Sequence, residues 1–151
     1  RRHPAPPADN FVALNHALAG LGQPVLDPSS SRALADTLDR INVPDDPYLN
    51  RLIRIMTTRC MQQAVYFASG TQPYDQFWHY GLACPIYTHF TSPIRRYADV
   101  IVHRLLAASI DWAAPSSISW TKQQLDECCH NLNYRNRMAQ QAQRSSVELF
   151  T

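Results

Sequence analysis

Apolar residues recur at helical spacing along most of the 151-residue chain, and proline, glycine and serine punctuate the pattern. In DNFVALNHALAGLG, Phe11, Leu14, Leu18 and Leu21 fall on one face, Asp9 is placed to cap the first turn, and Gly22 to end the helix. SRALADTLDRI repeats the arrangement, with Leu34, Leu38 and Ile41 in a stripe beneath a serine cap. Asp46-Pro47 opens a third and longer segment, LNRLIRIMTTRCMQQAVYFASG. The spacing predicts a helix running to Gly70, with Leu49, Leu52, Ile53, Met56, Cys60 and Ala64 inward.

Between Gly70 and Ser92 the 3.6-residue period disappears, the sequence turns aromatic, and PIYTHF is a candidate short strand. Periodicity returns at Pro93, where IRRYADVIVHRLLAASI predicts a helix with Ile94, Ala98, Ile101, Leu105 and Ala108 on its apolar face. A break follows in DWAAPSSIS, residues 111–119. A last helix opens with a capping box, Thr121 and Gln124, and carries Leu125, Cys128, Cys129, Leu132, Ala139 and Leu149 as its apolar positions. The expected fold is mainly α, with one short strand or extended segment near residues 84–90.

The start of the fourth helix contains a conflict. Ser92-Pro93 announces a helix N-terminus, yet the next turn carries Arg95 and Arg96, where the helix dipole disfavours cations by about 0.3–1 kcal/mol. Two readings remain open. An anion can sit where the helix N–H groups and both guanidinium forks converge, with Asp99 bracing either fork and His103 one turn further on. Alternatively, the charges form a solvated face tied by weak surface pairs. His79, Tyr80, Tyr87, His89, Phe90 and Tyr97 flank the arginines in sequence. Rings beside cationic forks suit single-stranded nucleic acid, and they equally suit an aromatic core.

Composition narrows the choice modestly. The formal charge is +2, from 14 basic and 12 acidic residues, and Lys122 is the sole lysine, so nearly all positive charge sits on planar forks matched to carboxylate or phosphate. Four cysteines without C-x-x-C spacing, and six histidines without H-x-x-x-H or H-x-H spacing, predict neither a zinc site nor a disulfide framework. There is no G-x-S-x-G elbow and no Walker loop. The acids are scattered apart from Asp45-Asp46 and Asp126-Glu127, each of which has a helix-capping explanation. No apolar run is long enough to span a bilayer, so no membrane partner is expected. The opening RRHPAPPADNF has no initiator Met and is expected to lie inside a longer chain.

The stretch HYGLACPIYTHFTSPIRRYADVIVHRLL, residues 79–106, resembles the signature of the ribonuclease II/R family, within its catalytic RNB domain. RRHP, LADTLDR and PYLNRLIRIMTTRCMQQAVYFASG resemble the same domain in exosome-type members, so the likeness spans nearly the whole chain. The resemblance implies that residues 1–151 form the C-terminal helical part of an α+β RNB domain, without its upstream aspartate-bearing part. It implies Mg²⁺-dependent, processive 3′→5′ hydrolysis of single-stranded RNA by the full-length protein, with the metal ligands outside this chain and the fragment inactive alone. A non-catalytic RNA-binding or scaffold member of the same fold is the alternative. Exosome core subunits are the implied partners, and the nucleus and cytoplasm the implied location.

Residue by residue, the resemblance places Arg95 at the scissile phosphate and Arg96 on the backbone beside it. Ser92 and Pro93 shape the turn, His79 lies near the RNA path, and Asp99 braces the arginines. With Ser92, Pro93 and His79, the residues Tyr80, His89, Thr91 and Tyr97 are the candidate RNA contacts, and His103 joins Asp99 as a candidate orienting residue. The AQR at 142–144 resembles an A-E-R element with Gln143 in the acid's place, leaving Arg144 to reach RNA.

Overall fold

The computed structural model describes all residues except 45, 47, 111, 113–119 and 151. The described chain is mainly α, with no strand ladder among the described residues, and it divides into two compact units. One comprises Arg2–Ala64 and Trp78–Ile86; the other comprises Arg1, Val65–Phe77 and Tyr87–Thr151.

The first unit holds α1 (Val12–Gly20), α2 (Ser31–Arg40) and α3 (Leu49–Cys60). Phe11, Leu14, Leu18, Leu26, Leu34, Leu38, Ile41, Ile53 and Tyr80 form its core, each large apolar side chain contributing roughly 1.5–3 kcal/mol by burial. The stripes expected in α1 and α2 are therefore inward, except Leu21, which is exposed. Asp9 does not cap α1. It lies inside a 3-10 turn, Ala8–Phe11, that leads into the helix from Pro7. The Ser30 hydroxyl does cap α2, accepting from Ala33 N at 3.0 Å, and Asn50 Nδ2 donates to the carbonyls of Leu38 and Ile41 at the helix's other end.

The third helix is shorter than its periodicity predicts, ending at Cys60 with Met61 extended (φ −76°, ψ 150°). Tertiary partners explain the stop: Asn10 Nδ2 donates to Cys60 O at 2.9 Å, and the His3 ring pairs with Gln62 O at 2.7 Å. Those carbonyls have found acceptor roles outside a helix, and Val65-Tyr66-Phe67 has little helical preference to resist. Leu52 and Met56, expected inward, are exposed. Asp46 performs the predicted capping, accepting from Tyr48 N and Leu49 N, while its neighbour Pro47 lies outside the described residues. Residues 84–90 form no strand ladder: Pro85 sits in a bend and residues 86–90 belong to no regular element. The unit's only bridges among the described residues are isolated ones, His3 with His79 and His79 with Cys84.

The second unit holds α4 (Tyr97–Ser109) and α5 (Lys122–Phe150). The predicted capping box opens α5: Thr121 N donates to Gln124 Oε1 (2.8 Å) and Gln124 N to Thr121 Oγ1 (3.2 Å). None of the described α5 side chains is fully buried; Cys128 and Cys129 are half-buried and Leu149 exposed. The segment 65–67 is fastened to α5 by Asn133, whose side-chain amide takes both Tyr66 N (2.8 Å) and Tyr66 O (2.8 Å), as a neighbouring strand would. The break expected at 111–119 falls almost wholly outside the described residues.

Candidate functional site

The fourth helix begins at Tyr97, four residues later than the Pro93 start predicted from periodicity. Residues 93–95 form a turn closed by Ser92 O, which accepts from both Arg95 N (3.2 Å) and Arg96 N (3.1 Å). Ile94, placed by the longer helix on its apolar face, is 94 % exposed at the tip of that turn. Arg96 is the N-cap and Arg95 the residue before it, so neither cation occupies the helix's first turn. That turn instead carries an acid, Asp99, whose charge suits the helix dipole.

Asp99 explains why the turn takes this shape. Its side chain is fully buried, and Oδ2 accepts from Ser92 N (2.8 Å) and Arg96 Nη2 (2.7 Å) while Oδ1 accepts from Arg96 Nε (2.9 Å). A buried carboxylate is tolerable only when paired and hydrogen-bonded, and this one is both. Burial pushes its pKa up, but the Arg96 fork, the Ser92 N–H and the surrounding positive charge outweigh burial and leave it below the usual carboxylate range. The same bonds raise Arg96 above its ordinary value.

The two arginines are thus unlike. Arg96 has its fork committed to Asp99 and only 21 % of its side chain exposed. Arg95 is exposed, and its guanidinium has no hydrogen bond or ion pair among the described residues. Asp99 braces only Arg96, although spacing permitted either fork.

The segment leading into the turn is pinned from several sides. His89 Nδ1 lies 2.7 Å from the Tyr66 hydroxyl, and its ring meets those of Tyr66 and Tyr87 edge-on at 5.5 and 5.7 Å. Burial first, then the charges of Arg1 and Arg96, push the His89 pKa down to about 4 against the opposing pull of Asp99, so the imidazole is neutral near pH 7. His103 Nε2 pairs with Phe90 O at 2.6 Å beneath a tilted contact of the two rings at 4.3 Å. Thr91, Pro93 and Tyr97 are exposed around the turn, and Ser92 is half-buried.

Of the sequence-predicted residues, His89, Thr91, Ser92, Pro93, Arg95, Arg96, Tyr97, Asp99 and His103 therefore gather along one stretch of the second unit. Arg144 is exposed on α5. His79 and Tyr80 belong to the first unit. There His79 Nδ1 accepts from Leu82 N, and Tyr80, 2 % exposed, donates its hydroxyl to Pro28 O at 3.1 Å. Tyr66 and Asn133 were missing from the sequence reading. Tyr66 lay in a run whose spacing imitates a helix, and a lone Asn on a helix gives no sign of its partner.

These residues do not fit a divalent metal. Among the described residues no three His, Cys, Asp or Glu side chains converge, and both oxygens of the one buried carboxylate are taken. The thiols offer no ligand set either; burial, chiefly, pushes Cys129 up to about 11.

The model of the RNB domain matches residues 1–111. The chain is 56 % identical over 150 residues to the exosome complex exonuclease RRP44 homolog A of Arabidopsis thaliana, covering 99 % of this chain but 16 % of that protein. It therefore spans about a sixth of such a curated relative's length. The structure of yeast Ssd1, a pseudonuclease, superposes with a TM-score of 0.81 at 31 % identity, over 99 % of this chain and 18 % of that one. Mycoplasma genitalium RNase R in complex with ribose-methylated single-stranded RNA shares the fold, with a TM-score of 0.79 at 24 % identity over 99 % of this chain and 23 % of that one. With the family model matching well over half its length, the chain belongs to the RNB-domain family.

Proposed function

We propose that the full-length protein is a hydrolytic exoribonuclease that shortens single-stranded RNA processively from its 3′ end and releases nucleoside 5′-monophosphates. In this reading the present chain supplies the arginine clamp on the phosphate and part of the RNA channel wall. The carrying observation is the state of Arg95: an exposed fork with no partner among the described residues, on a braced turn, beside a second arginine already neutralised by Asp99. A phosphate would complete what the protein leaves open at Arg95. The Arabidopsis exosome exonuclease and the RNA-bound RNase R support the substrate class.

Mg²⁺ ligands would come from aspartates outside this chain, so the chain alone is expected to be inactive. Exosome core subunits are the proposed partners, with action in the nucleus and cytoplasm. His89, Thr91, Tyr97 and Arg144 are the proposed RNA contacts around Arg95. The test is the salt dependence of RNA affinity. Replacing Arg95 by Ala in the full-length protein should lower the slope of log affinity against log salt by about 0.7, the share of one phosphate contact on a single strand. An unchanged slope refutes the clamp.

A second reading has its own support. The likeness to yeast Ssd1, a pseudonuclease, favours a non-catalytic RNA-binding member. Mg²⁺-dependent shortening of 5′-labelled RNA by the full-length protein decides between them.

A further inference from the structure

Among the described residues Arg95 has no side-chain hydrogen bond or ion pair, so the backbone of its turn sets where its side chain starts, and that backbone is held in part by residues away from the arginines. Tyr66 stands at the head of this support. Its N–H and carbonyl are both taken by the Asn133 amide of α5, and its hydroxyl lies 2.7 Å from His89 Nδ1. The Arg1 guanidinium carbon sits 4.8 Å over its ring. From His89 the chain has three residues to reach Ser92, and it is fixed on the way at Phe90 O by His103 and at Ser92 N by Asp99. The line from α5 to the turn therefore runs through bonds of 2.6–2.8 Å, and Tyr66 is its link to the helix.

We propose that Tyr66, anchored on α5 by Asn133, is a positioning residue for Arg95: by holding His89 it fixes the segment from which Arg95 reaches a backbone phosphate. The proposal rests on the phosphate reading of Arg95. The state of the ring fits the role. With its pKa pushed down by burial and by Arg1 and Arg96, His89 carries a single N–H, and a Tyr66 hydroxyl donating to Nδ1 assigns that proton to Nε2. Tyr66 thereby fixes the placement of the residue leading into the turn, whichever of the two groups donates.

The experiment is a mutant cycle in the full-length protein, with a fluorescein-labelled oligouridylate as the probe, in chelator, across a salt series. Tyr66→Phe keeps the ring that Arg1 covers and removes only the hydroxyl. It should weaken binding about fivefold, the worth of one ordinary hydrogen bond, and should flatten the salt slope toward that of Arg95→Ala. In the Arg95→Ala background the same change should have no further effect on affinity. Asn133→Asp, which can still accept from Tyr66 N but cannot donate to Tyr66 O, should act in the same direction and be silent in that background too.

Wild-type affinity in Tyr66→Phe, or effects that add to Arg95→Ala, overturns the positioning role. So does a fall in melting temperature with the salt slope intact, which is what a merely structural tyrosine would give. Arg95→Ala with an unchanged slope is a separate result: it removes the phosphate reading, and this proposal with it.

Discussion

Replacing Asp99 by Asn tests the construction of the arginine turn most directly. The amide has the shape of the carboxylate but brings an NH₂ where the protein offers only donors. If its oxygen keeps the place of Oδ2, facing Ser92 N at 2.8 Å and Arg96 Nη2 at 2.7 Å, the NH₂ confronts Arg96 Nε at 2.9 Å. Removing one partner of a buried ion pair costs about 3–5 kcal/mol, and the 21 % exposure of Arg96 lets water relieve its stranded charge, which favours the lower end, about 3 kcal/mol. For a unit of roughly 80 residues that is roughly 12–24 °C in melting temperature. The assay is denaturant unfolding followed by circular dichroism, with wild type and variant compared across pH. Asp99 has its folded pKa held below the ordinary carboxylate value, so its contribution is complete above the unfolded pKa, near 4, and is lost as pH falls through the lower folded value. The wild type should therefore lose stability in that acid window, and Asp99→Asn should lack that component. A loss under about 1 kcal/mol at pH 7 would place the pair among ordinary surface salt bridges and refute the argument.

The two arginines should separate in the same assay: Arg95→Ala is expected to unfold like the wild type, whereas Arg96→Ala leaves a buried carboxylate unpaired and should lower the melting temperature clearly. His89, neutral in the fold and protonated near pH 6.5 when unfolded, should make stability fall as pH drops from about 6.5 to about 4; the corresponding proton uptake on unfolding should vanish in His89→Gln. In the first unit, Gly81→Ala would bring a Cβ to 2.9 Å from His3 Nδ1, which also accepts from Gly81 N at 3.1 Å, so the imidazole must move and a loss of about 1–3 kcal/mol is expected by thermal unfolding.

How far the sequence reveals this molecule depends on whether a feature is local. The α1 and α2 stripes, the Ser30 cap, the Asp46 cap and the Thr121–Gln124 box depend on residues at most a turn or so apart, and each is found in the structure. The Asp9 cap fails locally, because Asp9 lies inside the 3-10 turn Ala8–Phe11; the larger errors occur where side chains outside the helix pattern claim its backbone groups. Residues 61–69 keep a helical apolar rhythm, but His3, Asn10 and Asn133, far away in sequence, claim the carbonyls and amides that would have extended α3. At Pro93 the periodicity is overridden by Asp99, whose claim on Ser92 N and Arg96 holds residues 93–95 in a turn and delays α4 to Tyr97. The candidate residues from His89 to His103 share one compact motif, and the structure places them along one stretch of the second unit. Tyr66 carried no such sign, since its importance comes from two bonds to residues 23 and 67 positions away.

The conflict noted at the start of α4 resolves into a division of labour. One arginine and a buried aspartate together make a neutral, hydrogen-bonded brace, and the brace holds the adjacent arginine outward with its charge unspent. The bonds of that construction run among Tyr66, His89, Phe90, Ser92, Arg96, Asp99, His103 and Asn133. In the phosphate reading, a chain built this way would hold a phosphate whether or not aspartates elsewhere assemble a catalytic centre. It is thus unsurprising that the same segment aligns with an exosome exonuclease at 56 % identity and superposes on a pseudonuclease with a TM-score of 0.81. Binding and cleavage should then part company under chelation. Full-length protein in EDTA is expected to keep its affinity for single-stranded RNA, and its dependence on Arg95, while any shortening of the RNA stops. Affinity that disappears with the metal would mean that the phosphate is held chiefly from outside this chain.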